Sequence, residues 1–298
     1  SHHLPEVLNL ADRITVLRNG KKVATVDARG TDESALIKLM IAKDLSQQYP
    51  KTVMEPGGEI FSVEFAGKRG FSIRSREIVG FAGLVGSGRS ELARKVFVGD
   101  PSKSLSARLG GRPFSPKNPR QAIAGGVVMI PEDRRGEGLV TAFAVGENLA
   151  LPRLPLLSKA GFRRESEIRE RNRKIIGDLG IKVFSPEQRA STLSGGNQQK
   201  VVLGKWFDAD AKLWIFDEPT QGIDVETKSE IYLIMERLAE RGAGIWFISS
   251  DLRELEAIAD RILVMHESEI VAEFARPFAT QAILEAMMGQ QAKAEVNP

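Results

Sequence analysis

Ile78-Val79-Gly80-Phe81-Ala82-Gly83-Leu84-Val85-Gly86-Ser87-Gly88-Arg89-Ser90-Glu91-Leu92-Ala93-Arg94 begins as a short apolar run, turns through Gly83, Gly86 and Gly88, and continues in a helical pattern. A strand, a glycine-rich turn and a helix N-terminus in that order make a phosphate cradle. The glycines let backbone N–H groups wrap the anion, the helix end adds positive potential, and the Ser90 hydroxyl is available to a divalent ion. Gly83, Leu84, Val85, Gly86, Ser87, Gly88, Arg89 and Ser90 are therefore candidate nucleotide contacts, with arginine where such a loop ordinarily carries lysine. A structural glycine turn is the competing reading; the strand before and the helix after weigh against it.

Downstream, Leu213-Trp214-Ile215-Phe216 ends in Asp217-Glu218-Pro219-Thr220. Side chains alternate faces along a strand, so these two acids serve one site only if the strand ends between them. Asp217 then holds Mg²⁺ through its shell, and Glu218 approaches an attacking water as base. Between the two motifs, Leu193-Ser194-Gly195-Gly196-Asn197-Gln198-Gln199-Lys200 opens a helical run to Phe207. A hydroxyl and two glycines at a helix N-terminus suit a phosphate presented from outside, which makes Ser194, Gly195, Gly196, Asn197 and Gln198 candidate contacts. A helix cap without a ligand is the plainer alternative. Further β-rich runs at Val127 to Ile130, Ile245 to Ile248 and Ile262 to Met265 alternate with helical patterns, which predicts an α/β fold with a mainly parallel sheet. Residues from about 133 to 200 carry helical patterns and no clear strand, so a helical subdomain is inserted there.

The chain also repeats itself. Ser1 to Asp27 laid over Ser249 to Ala275 pairs Ala11-Asp12-Arg13-Ile14 with Ala259-Asp260-Arg261-Ile262, and matches Leu4, Glu6, Val16 and Val23-Ala24 with Leu252, Glu254, Val264 and Val271-Ala272. The offset holds to Leu36 and Met40, opposite Leu284 and Met288. Residues 1–50 thus read as the end of a first module, 51–58 with Glu55-Pro56-Gly57-Gly58 as a linker, 59–289 as a second module, and 290–298 as a flexible tail. Ser1-His2-His3 without Met reads as a cut chain, and the aligned position favours a native origin for the histidines over a tag remnant.

Composition narrows the functional classes. At 298 residues, 42% hydrophobic and 27% charged, the chain can bury a sizeable core. Its apolar runs fall well short of the roughly 20 residues that cross a bilayer. With no cysteine, disulfides and thiolate metal sites are excluded, in keeping with a reducing cytoplasm. A net charge of +3 from 42 basic and 39 acidic side chains gives nucleic acid little to bind, so no nucleic-acid partner is expected. The densest basic stretch, Arg163 to Lys174, sets Glu165, Glu167 and Glu170 at i,i+4 from Arg169, Arg171 and Lys174, the pattern of a solvated helix face.

The order P-loop, Leu-Ser-Gly-Gly-Asn-Gln-Gln, apolar strand with Asp-Glu-Pro-Thr resembles the ATP-binding cassette (ABC) family, over about residues 57 to 289. The leading 50 residues resemble the tail of another cassette. The resemblance implies a P-loop NTPase with a RecA-like, mainly parallel core, an antiparallel β subdomain and the inserted helical subdomain. It implies ATP and Mg²⁺ as cofactors, Ser90 and Asp217 at the metal, and Glu218 and Asp217 as catalytic residues. Asp224 falls at the D-loop aspartate that touches a partner cassette. Ser250 stands where the family has its switch histidine, which the repeat puts at His2 in the first tail.

Departures from the family pattern are informative. Lysine and two hydroxyls become Arg89-Ser90-Glu91, so Glu91 replaces a contact to the α-phosphate. The expected glutamine is missing, and Pro131-Glu132-Asp133-Arg134 leaves Glu132 nearest that position. For adenine stacking, Phe61, Phe65 and Phe71 are candidates, each of which reads first as core. Pro-Glu-Asp-Arg, the P-loop arginine and Leu-Ser-Gly-Gly-Asn-Gln-Gln-Lys together look like the second cassette of bacterial two-cassette ATPases that power import of simple sugars or nucleosides. That likeness implies permease subunits as partners, a first cassette in the same chain or a second copy, a periplasmic or extracellular solute-binding protein acting indirectly, and a peripheral position on the cytoplasmic face of the membrane. Each ATP in such pairs lies between one P-loop and the other module's signature, so the altered loop is expected to turn ATP over slowly while the signature serves the first cassette. A soluble cassette ATPase acting on ribosomes or DNA, and a non-hydrolytic nucleotide sensor, are the rival expectations.

Overall fold

The protein is described from a computed structural model that covers residues 4–18, 21–31, 35, 36, 39, 51, 52, 54–65, 68–100, 102, 104–159 and 162–289. The readings made for His2, His3, Met40 and the tail 290–298 lie outside these residues.

Fourteen strands are numbered along the described residues: β1 (Arg13–Arg18), β2 (Lys21–Asp27), β3 (Glu59–Phe65), β4 (Lys68–Arg74), β5 (Ile78–Ala82), β6 (Leu105–Leu109), β7 (Arg112–Phe114), β8 (Val127–Ile130), β9 (Ser158–Lys159), β10 (Phe162–Arg163), β11 (Leu213–Asp217), β12 (Gly244–Ile248), β13 (Arg261–His266) and β14 (Glu269–Ala275). Six of them form the main sheet in the order β14-β13-β5-β12-β11-β8, parallel except for the β13–β14 hairpin at one edge. Strands β5, β8, β11 and β12 are buried along their whole length. Burial on both faces is why they read as unbroken apolar runs instead of alternating ones. Register pairs Asp217 with Ile248 and Ile248 with Phe81, so the segments after β5, β11 and β12 emerge side by side at the carboxyl edge, where open α/β sheets bind ligands.

A second, antiparallel sheet in the order β4-β3-β6-β7 packs on the first. Their shared core holds a ring cluster in which Phe81 stacks on Trp246 at 4.7 Å and Phe71 meets both edge-on at 5.1 and 5.0 Å. Phe61, 1% exposed, joins that cluster, and Phe65 is half-buried against it. Packing therefore occupies Phe61 and Phe71, two of the three candidate adenine platforms, and leaves Phe65 partly open.

The inserted region contains a π-helix (Arg134–Gly138), α4 (Val145–Ala150), α5 (Glu165–Asp178) and α6 (Gly195–Gly204), preceded along the chain by α1 (Leu4–Leu10), α2 (Arg89–Val98) and α3 (Pro119–Gly125). It also holds the β9–β10 hairpin, whose two-residue strands are too short to show a period in sequence. Helix α5 forms as expected, but Ile168, Asn172 and Ile175 are buried. Arg171 does not pair with Glu167. It turns inward, donating to Leu149 O at 2.7 Å and to the Asp208 carboxylate at 2.6 and 2.7 Å, while Glu167 takes Arg164 at 2.9 Å. A fixed acid outside the helix outcompetes an exposed i,i+4 partner.

Helices α7 (Val225–Glu240), α8 (Leu252–Ile258) and α9 (Thr280–Met287) complete the described elements. The repeat is visible in the fold: α1, β1 and β2 match α8, β13 and β14 residue for residue at the sequence offset, down to a β-bulge after Val16 and after Val264. Ile14, Val16, Ala28 and Leu36 make a small core of their own, and Val225 packs against it. The segment read as a linker is tied down. Lys51 is ion-paired with Asp260, Thr52 N–H donates to Glu236 at 3.3 Å, Gly57 N–H donates to Ser75 O at 2.8 Å, and Ser75 N–H donates to Gly58 O at 3.0 Å. Among the described residues, no helix is long and apolar enough to cross a membrane.

Candidate nucleotide site

Strand β5 delivers the chain to Gly83, where an added Cβ would lie 2.6 Å from Met265 O, and the loop returns through Gly88 at φ +92° into α2. Both positions require glycine, one for close approach and one for a left-handed turn. The loop is braced by the β13–β14 turn, whose Glu267 and Ser268 both have positive φ, and Ser268 N–H donates to Ser87 O at 3.0 Å. Val85 at the tip is 94% exposed.

Ser90 and Asp217 come together as the sequence implied: Ser90 Oγ donates to Asp217 Oδ1 at 2.6 Å. Asp217 is fully buried, and its Oδ2 has no hydrogen-bond partner. Burial pushes this carboxyl above the ordinary range, against the Ser90 hydrogen bond, which lowers it. A buried, half-satisfied carboxylate beside a hydroxyl fits a hard divalent cation, which takes oxygen ligands. Among the described residues no group of three or more metal-binding side chains exists, so such an ion needs phosphate and water oxygens as well.

Strand β11 stops at Asp217, and Glu218 follows at φ +45°. That left-handed residue is what frees the second acid from the alternation of the strand. Its carboxylate meets Ser250, whose Oγ donates to Oε2 at 3.2 Å, and faces Arg89 Nη2 at 3.8 Å. Arg89 is 7% exposed and donates from Nη1 to Ser249 O at 2.6 Å. Burial lowers the guanidinium's affinity for its proton and raises the Glu218 carboxyl. The charges of the pair oppose both shifts, and for Glu218 the Ser250 backbone hydrogen bond opposes it first. The loop's cation is thus engaged inside the protein. Glu91 pairs with Lys95 at 3.0 Å on the exposed face of α2.

The other predicted residues gather in a second cluster. Ser194 is exposed and caps α6, accepting from Asn197 N at 3.4 Å and Asn197 Nδ2 at 3.0 Å. Asp224 caps α7, accepting from Thr227 N at 2.9 Å and Thr227 Oγ1 at 2.8 Å. Partial burial alone would raise its carboxyl, yet these bonds leave it lowered. The two caps adjoin: a Cβ at Gly195 would sit 3.2 Å from Gly222 O, and one at Gly196 would collide with Thr227. Packing alone therefore accounts for these glycines. Gln198 is fully buried, donating to Ala190 O at 3.1 Å and accepting from Arg135 at 3.3 Å, which makes it a brace within the subdomain.

Several contacts near these clusters were not legible in the sequence. Glu254, matched earlier only as part of the repeat, is buried and accepts from Thr220 Oγ1 at 2.6 Å, Lys228 Nζ at 2.6 Å and Ser249 Oγ at 2.8 Å. Arg134 donates to Gln221 O at 2.7 Å, and Arg94 pairs with Glu137 at 2.8 Å. Glu132 is exposed, but its charge acts on Arg89, Arg94 and Asp217.

Comparison with known proteins gives these clusters a context. The sequence profile described as ABC transporter matches residues 68–221, from β4 through the Asp-Glu-Pro-Thr segment. The ribose import ATP-binding protein RbsA of Bacillus licheniformis is 42% identical over 287 residues, covering 94% of this chain and 58% of that protein. The putative ribose/galactose/methyl galactoside import ATP-binding protein 1 of Rhizobium etli is 40% identical over 287 residues, covering 94% and 55%. The chain thus spans little more than half the length of these relatives. Among solved structures, a twinned crystal form of MJ1267, an ATP-binding cassette of an ABC transporter, superposes with a TM-score of 0.65 at 20% identity, covering 78% of this chain and 98% of that one. The cassette MJ0796, dimeric and bound to ADP and Pi, gives 0.59 at 18% identity, covering 74% and 97%. At these identities the structures speak to the fold.

Proposed function

This chain belongs to the ABC transporter family, and we propose that it is the second-cassette part of an ATPase that powers import of a simple sugar. Residues 1–50 are then the tail of the first cassette, a reading supported by the match of α1-β1-β2 to α8-β13-β14 and by the greater length of the relatives. Partners are the permease subunits and, through them, an external solute-binding protein, with the ATPase peripheral on the cytoplasmic face. The relatives' names, which include ribose and galactose, favour sugars over nucleosides.

One observation carries the division of labour: the P-loop arginine is turned onto Ser249 O and Glu218, whereas Ser194 is exposed and bonds only locally, as the cap of its own helix, among the described residues. The signature then closes on ATP held by the first cassette, and the site at Arg89 binds ATP and turns it over slowly. When bound there with ATP, Mg²⁺ would be held by Ser90 and, through its shell, by Asp217, and would neutralise phosphate charge. Glu218 is the group placed to take a proton from water. The Arg89 charge beside it disfavours that protonation, and Ser250 in place of imidazole offers the γ-phosphate only a hydroxyl.

Reconstitution of the full-length protein with its permease tests the function: ATP hydrolysis that rises with uptake of a five- or six-carbon sugar is the expected outcome. Hydrolysis indifferent to every sugar but stimulated by ribosomes would overturn it.

A further inference from the structure

The π-helix Arg134–Gly138 begins after Pro131-Glu132-Asp133, which leave β8, and is held at its start by Asp133, which accepts from Arg135 N at 3.1 Å and Gly136 N at 2.9 Å. Inserted π-turns concentrate at functional sites because they aim a side chain that an α-turn would not. Here four of the five residues reach three motifs. Glu137 accepts from Arg94 of the P-loop helix at 2.8 and 3.0 Å. Arg135 Nε donates to Gln198 of the signature helix at 3.3 Å, and Lys205 of the same helix donates to Gly138 O at 2.6 Å. Arg134 Nη1 donates to Gln221 O at 2.7 Å and Nη2 to Gly222 O at 3.5 Å, in the loop leading to Asp224.

Arg134 is also wedged against the signature. A Cβ at Gly195 would lie 2.7 Å from its Nη2, so guanidinium, Gly195 and the Gly222 carbonyl form one layer. Its Nε is buried and unpaired, and no carboxylate lies within ion-pair distance of it among the described residues. Partial burial, then the neighbouring Arg135, work against its charge. A half-desolvated cation used on two loop carbonyls has a positional purpose. The planar fork can hold both at once, which a lysine ammonium cannot do with the same geometry.

We infer that Arg134 is a positioning residue that locks the loop Gln221–Asp224 to the signature Ser194–Gly196, so that both meet the opposing ATP as one rigid edge. This rests on the reading that the signature serves a composite site. In steady-state assays of the full-length protein, Arg134→Gln is expected to lower kcat about thirtyfold with KM changed less than about twofold, and Arg134→Lys to recover part of the loss. In an Asp224→Ala background the same change should cost less than about threefold, since coupled residues are not additive. Hydrogen exchange gives a readout independent of activity: amides of Gly222–Thr227 should exchange about tenfold faster in Arg134→Gln, while those of β11 keep their rate. A kcat within twofold of the parent, full additivity with Asp224→Ala, or unchanged loop exchange would each overturn the assignment. If Ser194→Arg left ATPase activity intact, the composite-site reading would fall, yet the exchange result would still decide the role of Arg134.

Discussion

The P-loop cluster and the signature cluster are built from the same kinds of part, a glycine-rich bend and a helix N-terminus with a hydroxyl, and they differ in where their polar groups point. At the P-loop, Arg89 is buried, Glu218 and Ser250 satisfy each other, and one oxygen of Asp217 is left without a partner. At the signature, Ser194 and Asp224 cap their own helices, Thr227 of α7 packs against Gly196 of α6, and Arg134 holds the loop between the two caps. The first is a site that closes on itself and the second an edge prepared for something outside. One half of a shared site can therefore be altered without touching the other half, because their supports run through different residues.

The sharpest way to break that contrast is to reverse it. In the full-length protein, Ser194→Arg is expected to lower ATPase activity more than about 100-fold, whereas Glu218→Gln keeps more than about half of it. The opposite order would make the P-loop site here the working one. Next in size is Arg89→Lys. Freed from the fork that holds Ser249 O, the ammonium can turn to phosphate, and equilibrium binding of Mg-ATP at this site should tighten about tenfold. Unchanged or weaker binding would mean that the inward arginine does not limit the site. The smallest effect concerns the support of the signature subdomain, Asp208 with Arg171. Partial burial would raise the Asp208 carboxyl, but Arg171 bonded to both its oxygens leaves it below the ordinary aspartate range. A lowered carboxyl contributes stability that is present above its unfolded pKa and lost as pH falls through the folded one. Asp208→Asn should therefore cost about 1 kcal/mol near pH 7, and the gap in melting temperature from the parent should close below about pH 4. A gap constant across that range would assign the cost to packing.

Sequence alone was a good guide to the main sheet and a poor one to the wiring. Val127–Ile130 was found to the residue, and the other four parallel strands to within one at either end, since burial on both faces leaves a local apolar signature. The break at Glu218 followed from alternation along the strand. Arg89 was singled out for its type, but its partner Ser249 lies 160 residues away. Glu254, Arg134 and Arg171 are likewise fixed by contacts across the fold; Arg134 stood out only as part of the Pro-Glu-Asp-Arg segment, and nothing in the local sequence names the partners of any of the three. In Arg171 the local rule pointed to Glu167, and a better-placed distant acid prevailed.

The ion pair at Lys51 has a mechanical side. Asp260, which receives it, also accepts the amide of Ile78 at 2.8 Å, the first residue of the strand that ends at the P-loop. A load on Lys51 would therefore reach the root of that strand, five residues below the phosphate turn, through a single carboxylate. In the proposed two-cassette protein, that carboxylate would be a short load path between the connector and the phosphate loop.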